Sequence, residues 1–130
     1  MAKLRIAMGI WGNTNLVDRF NTEGFGEFVP VLDRIRQVGE VEGIDGFELH
    51  LPTEIHESNA DEIEKVANDY GLQMVQLCGH TWTERQYKFG ALANSDPKVR
   101  ANAIARVKAG IAWSGFDRLG TRTRAMAPSR

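Results

Sequence analysis

The sequence predicts an α/β fold of parallel strands joined by helical crossovers, and three observations predict it. Short apolar runs of strand length alternate with longer segments whose apolar residues recur every three to four positions. Each run ends in Gly, Pro, Asn or aromatic residues, the punctuation of a strand-to-helix turn. The composition is that of a folded globular domain, 42% hydrophobic and 25% charged. Strands that alternate with helices pack most simply as a parallel sheet with right-handed connections.

Residues 4–10 (LRIAMGI) read as a buried first strand, and Trp11, Gly12, Asn13, Thr14 and Asn15 as the turn after it. Phe28, Val31, Leu32, Ile35 and Val38 then recur at helical spacing, with Arg34, Arg36 and Glu40 between them. Pro30 falls near the start of that helix, where its missing N–H is tolerated, and Gly43 and Gly46 break it. Residues 47–51 (FELHL) alternate over a strand length and stop at Pro52. Residues 58–61 (SNAD) cap a second helix whose stripe is Ile63, Val66, Ala67 and Tyr70. Gly71 sits where a left-handed terminal residue belongs. Residues 72–78 (LQMVQLC) are the third strand, followed by Gly79, His80, Thr81 and Trp82. A longer loop passes Tyr87 and Gly90 to Asp96 and Pro97, which open a third helix lined inside by Val99, Ala103, Ile104 and Val107.

The charge balance narrows the partners. Sixteen basic and seventeen acidic residues leave a formal charge of −1, so no global field draws the chain to nucleic acid or to an anionic membrane. No apolar run approaches a membrane span, and residues 1–12 read as a strand, not a signal peptide; a cytoplasmic location is expected. The one cysteine, Cys78, excludes an internal disulfide and a Cys-rich zinc module, and reads as an inert buried thiol. After Ile111 the pattern changes. Residues 112–130 carry Arg118, Arg122, Arg124 and Arg130 against Asp117, without helical or strand period. They are expected to form an irregular tail, of the kind a frameshift produces, apart from a domain over residues 1–111.

In a parallel β/α array reactive groups gather at the carboxyl ends of the strands. The first end offers Trp11 and Asn13, the second His50 and Glu54, the third Cys78, His80 and Trp82. His50 is the sharpest candidate, because an imidazole exchanges protons near neutral pH and so suits opening of a sugar ring. Trp11 and Trp82 at two strand ends fit a carbohydrate, whose C–H faces pack on aromatic rings. His50 and His80 lack the flanking acids of a metal motif, so no metal ligand is assigned. Neither a Walker signature nor a dinucleotide fingerprint is present.

Four segments in order resemble the amino-terminal part of xylose isomerase, within the xylose-isomerase-like TIM-barrel superfamily. Met8-Gly-Ile-Trp11 is similar to the family's first-strand Phe-Gly-Leu-Trp, and Asp18-Arg-Phe-Asn21 to the Asp-Pro-Phe-Gly of the next loop. Gly46-Phe-Glu-Leu-His50 resembles the second-strand segment that ends in the catalytic histidine. From Trp82, which stands where the family has Phe, the spacing to Gly90-Ala-Leu-Ala-Asn-Ser-Asp96 matches Gly-Ala-Phe-Thr-Ala-Asn-Asp without a gap. The likeness covers roughly residues 4–111.

The resemblance implies a partial (β/α) TIM barrel of about three strands and three helices, since a complete barrel needs roughly 200–250 residues. It implies metal-assisted aldose–ketose isomerisation of a small-molecule sugar. By it His50 would be the catalytic residue that aids ring opening, and Trp11 and Trp82 the apolar wall of the substrate site. His80 joins them as a substrate-binding candidate, and Phe20 would reach a neighbouring subunit's site, which implies a homo-oligomer. The family's divalent cations, Mg or Mn, and its lysine sit on later strands. This chain is therefore expected to hold no cation by itself and to be inactive alone. One departure bears on His50: the family's orienting acid, three residues on, is replaced here by Thr53, with Glu54 following. A sugar 3-epimerase and a non-catalytic sugar-binding or assembly module are the alternatives. A three-stranded parallel sheet also leaves an unpaired edge and exposed apolar inward residues, so marginal stability alone is expected.

Overall fold

The computed structural model describes residues 4–114. Strands β1 (Ala7–Gly9), β2 (Gly46–Leu51) and β3 (Gln73–Gly79) form one parallel sheet in that order. Helix α1 (Val31–Gly39) links β1 to β2, α2 (Ala60–Asp69) links β2 to β3, and α3 (Pro97–Ser114) follows a longer loop. The expected α/β architecture of three parallel strands and three helices is present, as an open sheet.

The two faces of the sheet differ in character. Phe47, Leu49 and Leu51 alternate onto one face and meet Ile35 and Val38 of α1 and Ile63, Val66 and Ala67 of α2. Ile10, Ile55 and Leu72 close the ends of this core. Fully burying each such side chain contributes ~1.5–3 kcal/mol, so this face carries most of the fold's stability. The opposite face bears Glu48 and His50 from β2 and Gln76 and Cys78 from β3, and it opens into a cleft.

An irregularity in β3 sets that division. Phe47 pairs with Met74, but Glu48 pairs with Gln76, so Val75 is an extra residue bulged out of register. Without it Met74 and Gln76 would share a face. With it, Met74 and Leu77 both pack on the core while Gln76 and Cys78 join the cleft. Gly46 makes room at the same place, since a Cβ there would lie 2.6 Å from the Gln73 carbonyl oxygen and 2.8 Å from Val75 Cγ1.

Turns behave as their residues dictate. Gly71 takes φ +66° after α2. Asn59 begins α2 by giving its carbonyl to the Ile63 N–H, while its side chain accepts from the His56 N–H and donates to the Glu54 carbonyl. Asp96 begins α3, its carboxylate accepting from the Lys98 N–H at 2.8 Å. A Cβ at Gly79 would lie 3.2 Å from Val107 Cα, so glycine lets α3 press against the end of β3. The Leu51–Pro52 peptide bond is cis.

Several expectations are corrected. The first strand is shorter than residues 4–10, and Ile10–Asn13 form a turn of 3-10 helix. Phe28 precedes α1 and is exposed, since Pro30 stands just outside the helix as its cap. Arg34, expected among the polar residues of α1, is buried at 4% exposure because residues 31, 34, 35 and 38 share the inward face. Ile104 is exposed, and Arg106, Val107 and Gly110 continue the packed face of α3 beyond Ala103. Residues 112–114, expected in the irregular tail, continue α3; residues 115–130 of that tail lie outside the described residues. Val75 of β3 is an exposed apolar residue, and Leu16 and Phe28, which line the cleft, are exposed as well. Among the described residues no helix is long and apolar enough to cross a membrane.

Candidate functional site

The cleft has a volume of about 570 Å3 and lies at the carboxyl ends of the three strands. Its walls include Trp11, His50, His80 and Trp82, residues drawn from three separate strand ends. Their rings form one aromatic cage. Trp11 stacks on His50 with centroids 4.3 Å apart and planes 28° apart. Trp82 presents an edge contact to His50 at 4.7 Å, and His80 lies 4.5 Å from Trp82 and 5.0 Å from His50. Gly9 permits the Trp11 position, because a Cβ there would come within 2.2 Å of the indole. Any side chain at that point displaces the ring.

His50 is oriented through one nitrogen. Its Nδ1 lies 3.1 Å from Glu54 Oε2, and the same oxygen accepts the His50 backbone N–H at 2.8 Å. Arg34 of α1 pairs with Glu54 Oε1, and all three side chains are buried. Burial by itself would raise the Glu54 carboxyl; the hydrogen bond and charge of His50 and the Arg34 guanidinium outweigh it and hold the group below its ordinary range. Glu54 is therefore an acceptor, so Nδ1 carries the imidazole proton. Nε2 is left without a hydrogen-bond partner among the described residues, on an imidazole that lines the cleft.

The loop chemistry explains why Glu54 takes this part. After Pro52 the chain turns back, with the Glu54 and Ile55 N–H groups donating to the His50 carbonyl. That turn brings the fourth residue after His50, not the third, beneath the imidazole. Thr53 points elsewhere, its hydroxyl engaging His80 Nδ1.

His80 is as buried as His50 but differs from it in its hydrogen bonding. Thr53 and Thr83 hydroxyls occupy both its ring nitrogens, the second at 3.0 Å. Burial, assisted by the nearby His50 and Arg106, lowers it to about 4, so it is neutral at physiological pH. Its backbone is pinned as well, the carbonyl accepting from Arg106 Nη1 at 2.8 Å and the N–H donating to Leu51. Arg106 in turn pairs with Glu84, whose carboxyl that hydrogen bond holds below the usual range. His80 thus shapes the cage and fixes the Trp82 loop.

Phe20 stands apart. It does not line the cleft; it is 73% exposed, with the Arg19 guanidinium 5.7 Å from its ring centroid. Cys78 reaches the cleft floor, where its sulfur accepts from Gln76 Nε2 at 3.0 Å. Glu48, Gln76 and Arg34 are cleft residues that the sequence did not single out. Two of these were accessible to it: Glu48 precedes His50 by the two-residue repeat of a strand, and Arg34 follows Val31 by three on a helix. Gln76 was hidden, because the bulge at Val75 reverses the alternation.

Among the described residues no group of three or more His, Cys, Asp or Glu side chains is placed to hold a metal ion. No protein-family model matches the chain, and no curated protein matches it.

Proposed function

We propose that the cleft receives the ring of a neutral sugar and that His50 opens it, the first step of an aldose–ketose isomerisation of xylose-isomerase type. The observation that carries this reading is the environment of His50: clamped between Trp11 and Trp82, tied at Nδ1 to a buried carboxylate, and free at Nε2 toward the cleft. Tryptophan faces suit the C–H surface of a pyranose, and Gln76 and Glu48 on the floor supply partners for its hydroxyls.

In this reading Nε2 takes the proton of the anomeric hydroxyl. The released O–H electron pair becomes the carbonyl π bond as the bond from the anomeric carbon to the ring oxygen breaks. The ring oxygen keeps that bonding pair and is protonated by solvent, and His50 returns its proton to solvent. Glu54 steadies the transient imidazolium.

The resemblance also implies a divalent cation for the later hydrogen shift, and the described donors do not fit one. Glu54 is held by Arg34 and His50, and both His80 nitrogens are engaged. The residues of the cleft thus account for ring opening alone, and the hydrogen shift is assigned to none of them.

Ring opening has its own assay, mutarotation of α-D-xylose or α-D-glucose followed by polarimetry without added metal. The chain is expected to speed the approach to anomeric equilibrium over matched buffer. His50→Gln is expected to lose the ~10²-fold or larger share that a positioned acid–base group supplies. No acceleration by the unaltered chain at millimolar sugar would refute the reading.

A further inference from the structure

We propose that Glu48 makes the cleft selective for a sugar ring that carries a primary ammonium group, for which its carboxylate is the counter-ion. The inference rests on the reading of the cleft as a sugar site and extends it from neutral rings to aminosugars.

Charge in the cleft lining does not balance. Arg34 is its one guanidinium or ammonium group, and Glu54 takes that charge in a buried pair. Glu48 is left as a second carboxylate, half-buried on β2, with no ion pair or side-chain hydrogen bond among the described residues. His80 offers it no counter-charge, since burial lowers that imidazole to about 4 and both ring nitrogens are engaged. Arg106, which borders His80, is committed to Glu84.

The strand register sets Glu48 where a ring can meet it. Its partner on β1 is Gly9, and atoms of the Trp11 indole come within 2.5 Å of the place a Gly9 Cβ would take. The indole therefore flanks Glu48 on one side, and Gln76, its partner on β3, flanks it on the other. An apolar wall keeps water off that side, so the carboxylate acts on a nearby charge more strongly than it would in bulk water. His50 lines the same cleft two residues further along β2, ~7 Å away by the rise of a strand. A pyranose with its anomeric hydroxyl at His50 thus sets a substituent of its far side at Glu48. A hydroxyl there gives the carboxylate a hydrogen bond; an ammonium gives it a hydrogen bond and cancels its charge.

The test compares sugars that differ at that substituent. Calorimetric titration at pH 6.5 and low salt is expected to show 3-amino-3-deoxy-D-glucose bound about fivefold or more tighter than D-glucose, about 1 kcal/mol. The N-acetyl derivative, which keeps the substituent without its charge, is expected to lose that gain, and added sodium chloride to shrink it. Glu48→Gln is expected to bring the two sugars to equal affinity. Equal affinity in the unaltered chain, or binding of neither sugar, overturns the inference, as does a preference that survives in a folded Glu48→Gln. Ethylammonium bound as tightly as the aminosugar also overturns it, because the site would then read a cation without a ring. Should Glu48→Gln not fold, the N-acetyl comparison decides in the unaltered chain. A preference for the aminosugar without faster mutarotation of glucose sustains this inference and refutes ring opening by His50; equal affinity with faster mutarotation does the reverse.

Discussion

At the scale of single residues, the two histidines of the cage show how neighbours divide one chemistry into two roles. His50 is tethered at one nitrogen to a charged carboxylate, and its other nitrogen is open. His80 is tethered at both by neutral hydroxyls and lies buried. The consequence for His80 is a pH dependence of stability with a defined sign. Its folded form resists protonation down to about 4, whereas an unfolded histidine takes up a proton near 6.5. Between those values the unfolded state binds more protons, so stability falls as pH drops through that window. Glu54 and Glu84 act lower down: both carboxyls are depressed, so their contribution is present above 4.5 and fades as pH falls further. Urea midpoints measured from pH 7 to 4 are expected to decline from about pH 6.5, and less steeply in His80→Asn. A midpoint flat from pH 6.5 to 5 would contradict the neutral, buried state of His80.

At the scale of elements, the site depends on how β3 is phased against β2. The bulge at Val75 sends Gln76 and Cys78 to the cleft and Met74 and Leu77 to the core, and Gly46 clears the space. Gly46→Ala would set its methyl group 2.6 Å from the Gln73 carbonyl, a backbone atom that cannot swing aside. We expect a loss of ~1–3 kcal/mol, the usual cost of overpacking, seen as a lowered urea midpoint with little change in the slope. Unchanged stability would mean that the strands separate there freely. The same elements show what was readable in the sequence. β2 and the Ile63, Val66 and Ala67 stripe of α2 were legible because their apolar residues keep a period, as were His50, Trp11 and Trp82 because they lie at or just beyond strand ends. Tyr70, expected on that stripe, follows α2 and is exposed. The loop geometry after Pro52 was not legible, since only the turn back to the His50 carbonyl reveals that Glu54, and not Thr53, meets the His50 imidazole. Arg34 escaped because a charged residue on a helix is ordinarily solvated, and the partner that buries it lies twenty residues away.

At the scale of the whole molecule, the asymmetry between the two sheet faces governs how the chain behaves in solution. Parallel sheets are normally covered on both sides. Here α1 and α2 cover one face and α3 packs against β3, while on the other face, among the described residues, the aromatic cage and the cleft residues stand above the strands. β1 and β3 each pair on one side only among the described residues, so both edges offer unpaired backbone groups. Val75 of β3, 53% exposed, lies beside Gly46 on the edge strand of the sheet. An apolar residue beside an unpaired parallel strand is a point of association, and a lysine there opposes it through charge while keeping the strand. We therefore expect thermal unfolding of the chain to be concentration-dependent and incompletely reversible, and Val75→Lys to reduce both effects with the far-ultraviolet spectrum preserved. The measurement is a dilution series followed by circular dichroism and sedimentation velocity. A sharp, reversible transition from a monomer at every concentration would show that three strands and three helices suffice without a covered second face.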